Sequence, residues 1–169
     1  MRLQVDIKRI AFCAVLLATS LVLSLVDMYI SSIIAFLPGF KLGIANIVTL
    51  FALYSISKKE TLIIIIARCA LAALLAGNIY MMFFSVTGGV LSFCTMNVFK
   101  DKISIIKTSM LGGLTHNIAQ LAVAALLSST VGVFYYLPFL VIAGVLSGIL
   151  TGAICKLLVK RIDVQTLLK

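Results

Sequence analysis

Residues 103–127 read Ile-Ser-Ile-Ile-Lys-Thr-Ser-Met-Leu-Gly-Gly-Leu-Thr-His-Asn-Ile-Ala-Gln-Leu-Ala-Val-Ala-Ala-Leu-Leu, with Lys107 as the sole charge. At about 1.5 Å per residue, a helix of this length crosses a hydrocarbon layer about 30 Å thick. His116, the only histidine of the chain, then falls roughly 20 Å in from Ile103, a little past the middle. Gln120 lies one turn further along the same face, and Thr115 and Asn117 flank it. Polar groups at such depth are costly without partners, and they face a bundle interior or a wet cavity. They serve either as hydrogen-bonding glue between helices or as a ligand site. Their density within six residues favours the ligand site.

The composition extends that reading to the whole chain. Its 169 residues are 63% hydrophobic and 11% charged, with a mean hydropathy of +1.24. Soluble domains carry about 25% charged residues, so the chain is expected to be an integral membrane protein folded as one domain, 1–169. A net charge of +9 would point to nucleic acid in a soluble protein. Here the charges are distributed by loop, and no nucleic-acid partner is expected. Arg2, Lys8 and Arg9 before an apolar run imitate a secretion signal, but no small-residue cleavage site and polar continuation follow, so a retained first helix is expected. Cys13, Cys69, Cys94 and Cys155 all lie in apolar segments, where thiols pack more often than they react.

Six apolar segments follow, near 9–27, 40–57, 61–77, 79–99, 103–128 and 133–159. An all-α, six-transmembrane-helix bundle is therefore expected. Twelve of the fourteen Lys and Arg residues fall on one side of it, leaving Lys41 on the other and Arg68 within a span. The positive-inside rule then places both termini in the cytoplasm.

Within this frame, Arg68 lies well inside the third segment. A permanent cation there requires a carboxylate, carbonyls, water or an anionic ligand. No Asp or Glu is expected deep in any segment, since Asp27 ends the first one. That favours a ligand anion or a polar cavity over a structural ion pair. Lys41 either snorkels to the outer interface or joins Arg68 in drawing negative charge. Asn46, Asn78, His116, Asn117 and Gln120 would add directional hydrogen bonds, as the few polar groups of a mostly apolar pocket do. Ala11, Ala14 and Ala18 lie within about 60° of one another on a helix, a stripe suited to internal packing or to docking a separate protein. Gly88 and Gly89 permit either a broken helix or tight packing. Gly144, Gly148 and Gly152 repeat a small-x-x-x-small spacing that signals helix packing.

Several chemistries are missing their residues. There is no G-x-x-x-x-G-K-[ST] phosphate loop, so uphill transport would need energy from another protein. The aspartates Asp6, Asp27, Asp101 and Asp163 never pair in sequence, leaving no cluster for magnesium-dependent diphosphate chemistry. No metal site is expected, and a Ser–His–acid triad lacks its buried acid. A non-catalytic chain is the expectation.

Three motifs carry a resemblance: Pro38-Gly-Phe-Lys-Leu-Gly-Ile-Ala-Asn-Ile-Val-Thr-Leu50, Ser85-Val-Thr-Gly-Gly-Val-Leu-Ser92 and Gly112-Gly-Leu-Thr-His-Asn-Ile-Ala-Gln120. With them the chain resembles, over nearly its whole length, the Gx transporter family, also called heptaprenyl diphosphate synthase component I. That family is similar to the substrate-binding S components of energy-coupling-factor transporters. The resemblance implies a six-helix, multi-pass protein of the bacterial cytoplasmic membrane, surrounded by lipid and holding a small-molecule ligand toward the outer side. Ala11, Ala14 and Ala18 would dock a transmembrane coupling subunit that works with two ATPases. Two other roles are implied as well: a scaffold beside a redox partner in flavin-based extracellular electron transfer or quinone synthesis, and an accessory part of a prenyl diphosphate synthase. No covalently bound cofactor is implied, and flavin enters only with the electron-transfer role.

Overall fold

The computed structural model describes residues 2–34 and 43–164. Among them the chain is all helix: α1 (Arg2–Ile34), α2 (Asn46–Ser55), α3 (Lys58–Leu75), α4 (Ile79–Phe99), α5 (Ile105–Ser128) and α6 (Leu137–Arg161), with a 3₁₀ turn at Val131–Tyr136 before α6.

Local chemistry sets the boundaries. Ser57 and Glu60 form a reciprocal capping box at the start of α3, satisfying amide groups that the first turn leaves open. Asn78 caps α4 by accepting from the Met81 amide at 3.3 Å, and Ser104 does the same for α5 through Lys107. Gly77, at φ +62°, supplies the left-handed residue that turns α3 into α4. Pro138 sits in the first turn of α6, where its missing amide costs nothing.

Among the described residues, four stretches are long and apolar enough to cross a membrane: Ile7–Ser31, Ile79–Phe99, Ile105–Ser128 and Val131–Arg161. Two of the six expected spans differ. The segment expected over 40–57 gives a described helix of only ten residues, roughly 15 Å long. All of Val48–Leu53 is buried, so α2 is apolar all round because it is surrounded by protein, not lipid. The segment expected over 61–77 is the 18-residue α3, which opens with Lys58, Lys59 and Glu60 and carries Arg68. It is therefore more charged than the four long spans. The first segment, expected to end at Asp27, continues as helix to Ile34.

α2 is the centre of the core. Val48, Leu50, Phe51 and Leu53 pack with Leu16 of α1, Ile64, Ile65 and Cys69 of α3, Phe93 and Met96 of α4, and Cys155 of α6. The outer faces are apolar too. Ile10, Val15 and Val22 of α1, Leu74 of α3, and Ile142, Leu146, Leu150 and Leu157 of α6 are all exposed. So much exposed apolar surface marks a protein whose surroundings are themselves apolar.

α5 and α6 approach to backbone contact. A methyl group added at Gly148 would lie 2.6 Å from the Met110 Cα, one at Gly152 2.8 Å from the Ile106 Cα, and one at Gly144 2.9 Å from the Gly113 carbonyl oxygen. Ser109 and Thr151 hydroxyls bridge the same interface at 2.7 Å. α4 runs unbroken through Gly88 and Gly89, so that pair serves close packing without a helix break.

The basic turns gather at one end. The Arg9 Nη2 donates to Glu60 at 2.9 Å, joining the start of α1 to the α2–α3 turn. The Lys100 Nζ donates to the Leu53 carbonyl at 3.2 Å, joining the α4–α5 turn to the end of α2. Gly152 against Ile106 brings the last turns of α6 alongside.

Candidate binding cavity

Away from the basic end, α1, α2, α3, α4 and α5 enclose a narrow cavity of about 420 Å³ of atom-free space, its open mouth included. Asn46, Arg68 and His116, three of the residues singled out in the sequence, line it together. They come from three different helices. Ser24 and Asp27 enter from α1 and Ser85 from α4.

Arg68 is 5% exposed. Its guanidinium reaches the Ser24 hydroxyl at 3.5 Å and the Cys69 sulfur at 3.9 Å, the first long and the second weak. The buried Nε has no hydrogen-bond partner, and among the described residues no carboxylate forms an ion pair with this group. A buried guanidinium with an open donor is expensive. Such a group is tolerated where function needs it.

His116 is 6% exposed and Gln120 4%, one turn apart on α5. Gly88 makes room for both, since a methyl group there would meet the His116 ring at 3.0 Å and the Gln120 Cγ at 3.1 Å. The Gln120 Nε2 is buried with no partner. Gly89 lets α3 close on α4, with Ile65 2.9 Å and the Arg68 Nη2 3.7 Å from where a methyl would stand. The two glycines thus set the wall against which Arg68 and His116 are arrayed, while Gln120 packs beside His116 on Gly88 without lining the cavity.

The remaining candidates part company with the cavity. The Asn117 Nδ2 donates to the Leu140 carbonyl at 2.8 Å, tying α5 to α6. Asn117 faces that interface, not the cavity, because the next residue along a helix points about 100° away. Asn78 is exposed and spends its side-chain oxygen capping α4. Lys41 lies outside the described residues. Ala11, Ala14 and Ala18 are all exposed on α1, opposite the buried Leu16 and Ser20, so the stripe is not consumed by packing within the described residues.

One residue overturns a sequence expectation. Asp27, read as the end of the first segment, is 4% exposed and lines the same cavity as Arg68. Its Oδ2 accepts from the Gly43 amide at 3.0 Å. The cavity therefore holds a carboxylate as well as a cation. The signal was present in the sequence: Met28–Ile34 is apolar enough to continue the helix, which moves Asp27 from its end to its interior.

The sequence model of the family described as heptaprenyl diphosphate synthase component I matches residues 16–158. No curated protein and no solved structure matches the chain.

Proposed function

Because the chain belongs to the heptaprenyl diphosphate synthase component I family over residues 16–158, we propose that it is a non-catalytic membrane subunit that captures a small polar or anionic metabolite and delivers it to partner proteins. In this reading the bundle resembles an S component and crosses a bacterial cytoplasmic membrane with both termini and the basic turns inside. The cavity opens toward the outer half. The energy comes from ATP hydrolysed by a partner complex, docked through Ala11, Ala14 and Ala18.

The observation that carries the reading is the meeting of Arg68, His116 and Asn46 in one cavity. An arginine with an unsatisfied Nε among the few polar groups of a mostly apolar bundle suits recognition of a ligand oxygen. The exposed alanine stripe supports the partner, since small residues let a second helix approach closely in lipid.

Purification from the native membrane tests the partnership. The capture reading predicts co-elution with an ATPase complex, and uptake of the bound metabolite that stops when that complex is removed. Uptake that persists without the ATPases contradicts it. A second reading is favoured by the family description itself: an accessory component of a prenyl diphosphate synthase, which implies a soluble catalytic partner. That reading requires product formation to depend on this chain. Full activity of the soluble partner alone dismisses it.

A further inference from the structure

Arg68 stands 5% exposed in the cavity wall with its donors only partly used. Its contacts to Ser24 and Cys69, at 3.5 and 3.9 Å, lie at the weak limit of hydrogen bonding. The buried Nε has no partner. An open N–H on a permanent cation favours an oxygen that carries negative charge, because charge-assisted hydrogen bonds are roughly twice as strong as neutral ones.

The rest of the wall limits how much charge that oxygen can bring. Among the described residues that line the cavity, Arg68 is the one permanent cation. Asp27 is already engaged by the Gly43 amide at 3.0 Å and by a further interaction, and it adds no positive charge. A ligand with one negative charge forms a neutral pair with the guanidinium. A second charge enclosed in the same space would meet only neutral donors such as Asn46, leaving its desolvation uncompensated. A phosphate ester carries about −1.5 to −2 at pH 7, and a diphosphate more, so both exceed what one arginine offsets. A carboxylate carries a single charge, and its flat pair of oxygens matches the guanidinium fork.

We infer that this cavity takes a small monocarboxylate, its acid group on Arg68 and the remainder of the molecule uncharged. The inference rests on the capture reading and names its substrate class. Ala45, Ala72 and Met81 line the same space and suit a neutral, partly apolar body, which Asn46 can orient by a hydrogen bond. A ligand that binds only the folded chain raises its melting temperature.

The test uses the full-length protein in lipid nanodiscs at about pH 8, where an ordinary histidine is neutral. It is titrated with three series that differ in charge at a similar size: propionamide, propionate and succinate; benzamide, benzoate and phthalate; nicotinamide, nicotinate and quinolinate. Isopentenyl diphosphate extends the range. The expected result is that at least one monocarboxylate raises the melting temperature at concentrations about tenfold below those of its amide and its dicarboxylate, the margin of a charged over a neutral hydrogen bond. Arg68→Gln should erase the advantage of that acid over its amide. The wild-type order decides the matter even where the variant does not fold. A dicarboxylate or the diphosphate binding as tightly as the monocarboxylates would overturn the single-charge limit and leave the capture reading intact. An amide equal to its acid, or an acid unaffected by Arg68→Gln, would overturn the assignment to Arg68. No response to any series overturns the monocarboxylate class, and the capture reading then depends on the wider ligand screen.

Discussion

At the residue scale, the central feature is a cation buried inside a mostly apolar helical bundle. Arg68 makes no ion pair among the described residues, so none of them offsets its charge. Replacing a buried, incompletely paired ion with an apolar side chain of similar volume is often neutral or stabilising, by about 1–4 kcal/mol. Arg68→Met is therefore expected to melt at the same temperature as the wild type or higher, and to bind no ligand. A marked fall in melting temperature would identify Arg68 as a structural residue. A second charge behaves oppositely. Burial alone would raise the Glu60 carboxyl, but hydrogen bonds from Arg9 and Ser57 and the Arg9 charge outweigh it, holding Glu60 below its ordinary value of 4.5. A depressed carboxyl contributes stability above its unfolded value and loses it as pH falls through the folded value. With Arg9 and Glu60 partly exposed, screening keeps the contribution below about 1 kcal/mol. Melting curves of wild type and Glu60→Gln should differ at pH 7 and converge as the pH falls well below the ordinary carboxyl value of 4.5; a constant difference would count against the pair.

At the scale of elements, the tightest join is between α5 and α6. A methyl group at Gly148 would press on Met110 backbone at 2.6 Å, and backbone cannot swing aside as a side chain can. Gly148→Ala should cost about 1–3 kcal/mol, as overpacking does, and denaturation in detergent would show it. Gly132→Ala, whose added methyl meets a side-chain methyl at 3.4 Å, serves as the near-neutral comparison. The α5–α6 join was legible in advance because small-x-x-x-small spacing has one strong physical meaning. The burial of His116 and Gln120 was legible from their place within an apolar run. The nature of α2 was not. An apolar segment flanked by lysines reads alike whether lipid or protein surrounds it, and only tertiary packing shows that Val48–Leu53 is enclosed. Asn78 and Asn117 lie apart from the cavity, one capping α4 and the other bridging α5 to α6, and the sequence alone does not separate these uses. An amide that caps a helix or bridges two of them has the same sequence signature as one that holds a ligand.

At the scale of the molecule, the ends of the bundle differ in charge and the cavity lies away from the basic one. If the basic end faces the cytoplasm, a membrane-impermeant amine reagent on intact cells should leave Lys58, Lys100, Lys107 and Lys160 unmodified until the membrane is opened. Modification of these residues in intact cells would invert the orientation. The same asymmetry places Asp27 and Arg68 in the half of the bundle away from the basic end. Asp27 is also where the sequence reading was weakest: one helix ending seven residues later than expected placed a buried carboxylate in the wall of the cavity that Arg68 lines.

The account depends most directly on whether Arg68 and His116 hold a ligand together. Thermal-shift screening of the purified protein against amino acids, vitamins, flavins and prenyl phosphates, repeated with Arg68→Ala and His116→Ala, measures that. The prediction is a compound that stabilises the wild type and loses at least tenfold in affinity in each variant, while both variants remain folded. A compound bound equally well by the wild type and both variants would contradict it.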